Sequence, residues 1–294
     1  MSLRPSRPVL LWGSPLDLPI AAVCTALSRL GTPMFLVDQT RAGETSIEID
    51  IEIDGALGGW IQVGDQRCAL DLVRSVYARP QDAAGAVDEA LACWLELTPA
   101  LVVNRLSAMG SNSSKPYQSA LIAKAGFAVP DTLVTNDPDA LRAFWRRHGS
   151  IVYKSSSGVR SIVSRLAADD ADRLARLATC PTQFQEYVPG TDYRVHVIGD
   201  EIHGHAIDSE ADDYRYAGSA GVRLQPWRVP DELRPRVRKL AASLGLVMAG
   251  IDLRRSAEGE WVCFEVNPSP GFTFYDAEDD EPIARATARL LTGD

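Results

Sequence analysis

Three stretches of the chain carry side chains whose types and spacing could do chemistry. The first is GIDLRRSAEGEWVCFEVNPSPGF, in which Asp252 lies in an apolar run, a polar turn spans 256–259, and Glu265 and Asn267 stand two residues apart. Residues two apart on a strand share a face, so a hairpin here would line up two carboxylates and an amide oxygen. An all-oxygen set of this kind suits a hard cation such as Mg²⁺ bridged to phosphates, although acids on the wet face of a half-buried hairpin are the plainer alternative. The second stretch, IVYKSSSGVRSIV, ends an apolar strand on Lys154 and continues into Ser155, Ser156, Ser157 and Gly158. Consecutive backbone N–H groups and hydroxyls can wrap an anion, and an ordinary hairpin turn is again the alternative. The third, TDYRVHVIGDEIHGHAID, turns at Gly199-Asp200. A two-residue turn there would set Arg194 opposite His205, His196 opposite His203 and Ile198 opposite Glu201. Arg194 flanked by imidazoles points to a phosphate or substrate-carboxylate pocket; a zinc site lacks a visible fourth ligand.

These side chains need elements to hold them. PVLLWG, the helical period over 18–30 and PMFLVD read as a βαβ unit with a parallel sheet, and its first turn lacks the G-x-G-x-x-G of a dinucleotide site. Ile47, Ile49, Ile51 and Ile53 alternate with acids and predict a strand with one face buried, followed by a turn into WIQVG. SVYARP predicts a strand, 87–97 a helix and ALVVN another strand. Ser113 or Ser114 can cap a helix that carries Lys115 at its start, Pro116 in its first turn and Gly126 at its stop. A helix is expected over 138–148, another over 230–246 and a terminal one over 282–291.

Composition bounds the function. A chain of 294 residues with 46% hydrophobic and 23% charged residues can bury a sizeable core in about two domains. Its net charge of −9, with no Lys/Arg run, excludes a general binder of nucleic acid or of anionic membranes. The N-terminus lacks the apolar run of a signal peptide and no segment reaches membrane-spanning length, so a cytoplasmic protein is expected. The five cysteines are scattered without a C-x-x-C pair and read as small buried apolar residues.

Taken together, the order Lys115, G-x-x-x-P at 126–130, Lys154, Gln185-Glu186-Tyr187, Asp192-x-Arg194, Asp252 and Glu265-x-Asn267 closely resembles the ATP-grasp ligases, nearest to their glutathione synthetase and ribosomal-protein glutamate ligase branch. A fainter likeness to the ATP-grasp maturases of ribosomal peptides lies in the Ile-rich hairpin and the strand ending Arg79-Pro80. The resemblance implies an α+β fold in which an N-terminal βαβ layer (1–104) precedes a two-lobed ATP-grasp fold, with a small subdomain at 105–184, a metal- and substrate-binding subdomain at 185–294, and the nucleotide between antiparallel sheets. It implies that Asp252, Glu265 and Asn267 ligate two Mg²⁺ ions, for which Mn²⁺ could substitute. ATP would be contacted by Lys115, by Lys154, by a phosphate lid containing Ser156, Ser157 and Gly158, by Gln185, Glu186, Tyr187 and Val188 around the adenine (Glu186 and Val188 through main-chain groups), and by Asp192 at the ribose. Arg194, His205 and Arg215 would serve the reacting groups, Arg215 despite standing in Arg-Tyr-Ala where the family has Arg-x-Asn. The implied reaction joins a carboxylate to an amine or alcohol with release of ADP and phosphate, the partners being small-molecule or peptide substrates with neither nucleic acid nor membrane, and a homo-oligomer remains open. Peptide maturation by side-chain crosslinks, a small-molecule kinase and a non-catalytic ATP-binding protein are the alternatives.

Overall fold

The computed structural model describes residues 7–81, 85–154, 163–166, 180–209, 221–276 and 280–294. The N-terminal part runs β1 (Val9–Gly13), α1 (Leu18–Arg29), β2 (Met34–Asp38), β3 (Thr45–Ile51), β4 (Leu57–Val63), β5 (Gln66–Ala69), β6 (Ser75–Arg79), α2 (Ala86–Leu97) and β7 (Leu101–Val103). Strands β2-β1-β6-β7 form the parallel sheet expected from the βαβ pattern, and every residue of β1 is buried, as a strand covered on both faces requires. On one face Leu10, Trp12 and Val76 pack with Leu91, Trp94 and Leu95 of α2 and with the small antiparallel sheet β3-β4-β5. There the indole N–H of Trp12 donates to the buried Asp88 at 3.0 Å. The isoleucine alternation outruns this cover: Ile47 and Ile49 reach the core, whereas Ile51 and Ile53 are exposed, because the ladder with β4 ends at Ile51↔Leu57.

The rest of the chain runs α3 (Leu106–Met109), α4 (Lys115–Lys124), β8 (Thr132–Thr135), α5 (Pro138–His148), β9 (Ile151–Lys154), β10 (Ser164–Arg165), β11 (Thr182–Glu186), β12 (Gly190–Ile198), β13 (Glu201–Ser209), β14 (Val222–Trp227), α6 (Arg234–Ser243), β15 (Met248–Ser256), β16 (Trp261–Asn267), α7 (Thr273–Asp276) and α8 (Pro282–Thr292). An antiparallel sheet of order β10-β9-β11-β8 packs Ile151, Phe184 and Leu133 on Leu141 and Phe144 of α5. Strand β11 stays in this sheet through Glu186. A five-stranded antiparallel sheet, β14-β13-β12-β15-β16, buries Val195, Val197, Ile251, Leu253 and Val266 against α4 and α6. Its other face begins with Ile198, Ile207 and Met248, which share a core with α1, α8 and the underside of the N-terminal parallel sheet. The first hundred residues therefore close their core with the last helix, a contact that sequence order does not display.

Two local expectations are corrected. Helix α6 starts at Arg234, four residues later than expected at 230, because 230–233 form a turn with Leu233 N–H donating to Pro230 C=O. Cys68 and Cys263 are buried as small apolar residues, but Cys93 and Cys180 are exposed and Cys24 is half-buried. No helix of the described residues is long and apolar enough to cross a membrane.

Candidate functional site

The β15–β16 hairpin brings the first group together. Its register sets Asp252 opposite Glu265 and Gly250 opposite Asn267, so both carboxylates and the amide share the face opposite Ile251 and Val266. At Val266 the sheet's edge at β16 is satisfied by a side chain: Gln118 of α4 donates Nε2 to the Val266 carbonyl at 2.7 Å and accepts from the Val266 N–H at 3.0 Å, standing in for a strand there. That docking carries Lys115, one turn earlier on α4, to Glu265, with Nζ 2.9 Å from Oε1. On the inner side Arg194 of β12 donates Nη1 to Asp252 Oδ1 at 2.8 Å. Both ion pairs are largely buried, so their Coulomb attraction is screened far less than on the surface. Lys115, which disfavours the helix dipole at its position, is held by this tertiary pair.

The guanidinium of Arg194 lies across β15 over Gly250. A Cβ at position 250 would stand 2.0 Å from Arg194 Nη2 and 2.8 Å from Pro270 Cβ, so only glycine permits this crossing. The loop after Asn267 is fixed from the N-terminal side. Asn267 Oδ1 accepts from the Ser269 N–H at 2.9 Å, and Arg79, at the carboxyl end of β6, donates to Ser269 Oγ at 2.8 Å and to the Pro270 carbonyl at 3.0 Å while pairing with Asp17 at 2.5 Å. Asn104, buried after β7, donates to the carbonyls of Met248 and Pro268 and accepts from the N–H groups of Val247 and Met248. All of its polar atoms are thus engaged in joining β15 to this loop.

The histidine register is the one expected. Arg194 faces His205, His196 faces His203 and Ile198 faces Glu201, with Gly199 at φ +53° in the turn. His196 is fully buried and accepts at Nε2 from Arg194 Nε at 3.4 Å, which puts the proton of the neutral ring on Nδ1. Burial, then the charge of Arg194 and the neighbouring imidazoles, hold His196 well below the usual histidine range; burial also lowers His203, against the pull of Glu201. Tyr275 of α7 covers this layer, its ring 5.0 Å from that of His196 and 5.4 Å from that of His205. Among the described residues no group of three or more His, Cys, Asp or Glu is placed to share a metal.

The small sheet holds the remaining residues. Lys154 ends β9 buried, opposite Gln183. Gln185 is buried with Nε2 donating to Thr132 Oγ1 at 3.0 Å. The Glu186 carboxylate accepts from the Asp131 N–H at 2.9 Å, and its own N–H donates to the Asp131 carbonyl. The Tyr187 N–H donates to the Ser150 carbonyl, and the Arg165 guanidinium stacks 3.7 Å from its ring centroid. Asp192, expected at a ribose, has both oxygens engaged by Arg254 at 2.7 Å each, and Arg254 also donates to the Val188 carbonyl at 2.7 Å. Ser156, Ser157, Gly158 and Arg215 lie outside the described residues.

Sequence reasoning missed Gly250, Gln118, Asn104, Arg254 and Arg79 as parts of this site. A glycine inside a strand signals close approach, and it stood next to the acidic motif. Gln118, Asn104 and Arg79 are distant in sequence and are revealed by the docking of α4 and of the N-terminal sheet, whereas Arg254 is brought to Asp192 by the pairing of β12 with β15.

Comparison with known proteins gives the relationship. The family model described as "RimK-like ATP-grasp domain" matches residues 112–290. A probable alpha-L-glutamate ligase of Photobacterium profundum is 27% identical over 200 residues, 64% of this chain and 66% of that protein, so the match spans slightly less than two thirds of the relative. The ATP-grasp ligase PsnB, in a complex with a phosphomimetic variant of its minimal precursor, Mg and ADP, is 25% identical with a TM-score of 0.81 over 97% of each chain. The macrocyclase MdnC of Microcystis aeruginosa MRC, bound with precursor peptide MdnA, has a TM-score of 0.79 at 24% identity, covering 98% of this chain and 100% of that one.

Proposed function

Because the chain belongs to the RimK-like ATP-grasp family, we propose that it is an ADP-forming ligase that activates a carboxylate with MgATP and joins it to an amine or alcohol. The observation that carries this reading is the shared face of Asp252, Glu265 and Asn267, each carboxylate next to one cation, Arg194 or Lys115.

The donor set fits the metal: two carboxylates and an amide oxygen that still has a lone pair beside its bond from Ser269 N–H make an all-oxygen site for hard cations. Two Mg²⁺ ions held there, or Mn²⁺ in their place, would supply Lewis-acid charge to the β- and γ-phosphate oxygens. Lys115 and Arg194 hold Glu265 and Asp252 as ion pairs, which keeps the acids from repelling each other. With a metal on the acids, Lys115 and Arg194 would serve the anionic oxygens of the reactants instead. Lys154, fixed at the end of β9, adds charge from the opposite sheet. Gln185, Tyr187 and the main chain of Glu186 and Val188 line the adenine end; Asp192, oriented by Arg254, keeps lone pairs for the ribose hydroxyls. The substrate carboxylate attacks the γ-phosphorus, ADP leaves, and the amine displaces phosphate from the acyl phosphate through a tetrahedral intermediate. Arg194, with Arg215 and His205, steadies the negative charge that builds up.

A second reading specifies the substrate. Among solved structures that match nearly the whole chain, PsnB and MdnC, each with a precursor peptide, have TM-scores of 0.81 and 0.79, against 0.64 for a D-alanyl-alanine synthetase of Vibrio cholerae. Whole-chain likeness favours a peptide as the substrate, with crosslinked side chains as the product. ADP release in the presence of panels of amino acids, small acids and acid-containing peptides, with product mass, tests both. A product lighter than its two components by one water supports ligation, the same loss within one peptide supports crosslinking, and a stable phosphorylated product would contradict both.

A further inference from the structure

Gln183 is the most deeply buried polar residue of the small sheet, and it is unlike its neighbours. It is 0% exposed, and among the described residues neither its Nε2 nor its Oε1 has a hydrogen-bond partner. Gln185, two residues on, reaches Thr132 Oγ1, so the strand is not short of partners in general. Alternation along β11 turns Phe184 into the α5 core and Gln183 to the other face, where its register partner is Lys154. An amide buried without partners is a standing cost to the folded chain, and such costs concentrate where a ligand later supplies the partner.

We infer that Gln183 is a nucleotide-contacting residue: Nε2 donates to a non-bridging phosphate oxygen beside Lys154, and Oε1 accepts from the Lys154 ammonium as both groups close on the phosphate chain. The inference rests on the ATP-site reading given above. It assigns to Gln183 a preference for nucleotides with a phosphate chain over the bare nucleoside. The amide is neutral, so it adds direction to the charge that Lys154 supplies.

The test uses the full chain, wild type and Gln183→Leu. Melting temperature is measured without nucleotide, and affinities for MgATP, MgADP and adenosine by calorimetry. Removing an unpartnered amide for an apolar group of similar size should raise Tm without nucleotide by about 3 °C. The same change should weaken MgATP and MgADP about tenfold and leave adenosine unchanged. In Gln183→Glu, where the acceptor stays but the donor becomes a like charge, MgATP should weaken further. A lower Tm in Gln183→Leu together with wild-type affinities would make Gln183 an internal structural group, and equal weakening of adenosine would remove it from the phosphates. Should Gln183→Leu not fold, a Gln183→Glu protein with wild-type MgATP affinity would overturn the inference by itself. A wild-type protein that binds no MgATP would overturn the ATP-site reading, and this inference with it.

Discussion

Gly250→Ala should separate catalysis from folding by a single methyl group. The added Cβ would lie 2.0 Å from Arg194 Nη2 and 2.5 Å from its Cζ, so the guanidinium must leave its place over β15. With Pro270 Cβ 2.8 Å away on the other side, there is no room for the methyl to shift instead. The displaced group loses its 2.8 Å bond to Asp252, a charge-assisted contact worth ~1.5–3 kcal/mol. If Arg194 contributes that much to the transition state, kcat/KM falls ~10- to 150-fold. The core on the other face of β15, built on Ala249 and Ile251, is untouched, so the protein should still fold with a modest loss in Tm. Gly271→Ala is the control, because a Cβ there meets nothing within 4 Å. ADP release, or MgATP affinity before a substrate is known, gives the readout beside a melting curve. A folded Gly250→Ala protein within about twofold of wild type in both would refute the reasoning that Arg194 must cross at this point.

Asn104→Ala removes all the side-chain bonds that join the start of β15 to the Pro268 loop and leaves Met248 and Pro268 main-chain groups buried; a loss of about 3 kcal/mol in a urea titration is expected, and a loss below about 0.5 would contradict the role. Stability should also fall as pH drops from about 7.5 to about 5.5, because the unfolded chain protonates its histidines near pH 6.5 while the fold resists protonation of His196 and, in the same direction, of His203. Over the unit below 6.5 the slope is worth at most ~1.4 kcal/mol per ring, and His196→Gln should flatten it; the raised carboxyl of Asp276 acts in the opposite sense. His205→Ala should lower turnover strongly with little change in MgATP affinity, whereas Ile202→Ala, on the face packed toward α6, should mainly lower Tm; full activity in His205→Ala would place the substrate elsewhere.

Much of this site was legible because period-2 spacing and a two-residue turn set register. Glu265-x-Asn267 and the Gly199-Asp200 turn placed both the acidic face and the Arg194–His205 pairing, and both stand as read. The parallel N-terminal sheet followed from its apolar runs and the helical period between them. What was not legible depends on contacts far apart in sequence. The group that orients Asp192 was hidden, because nothing local announces Arg254, 62 residues on, which donates to both of its oxygens. The isoleucine alternation predicted more burial than α2 can provide, since a pattern records which way a side chain points and not what covers it. Likewise, the sharing of a core between α1 and α8 is a matter of tertiary docking that no periodicity encodes.

The central claim is that Asp252, Glu265 and Asn267 form a metal-dependent ATP site, and calorimetric titration of ATP tests it most directly. Wild-type protein is titrated in excess Mg²⁺ and again in EDTA, and Glu265→Gln in excess Mg²⁺, with Tm recorded for each. The account predicts saturable binding of one nucleotide per chain with Mg²⁺, at least tenfold weaker binding in EDTA, and a folded Glu265→Gln protein whose affinity with Mg²⁺ falls to the EDTA level. Equal affinity under all three conditions, or no binding by the folded wild-type protein, would contradict it.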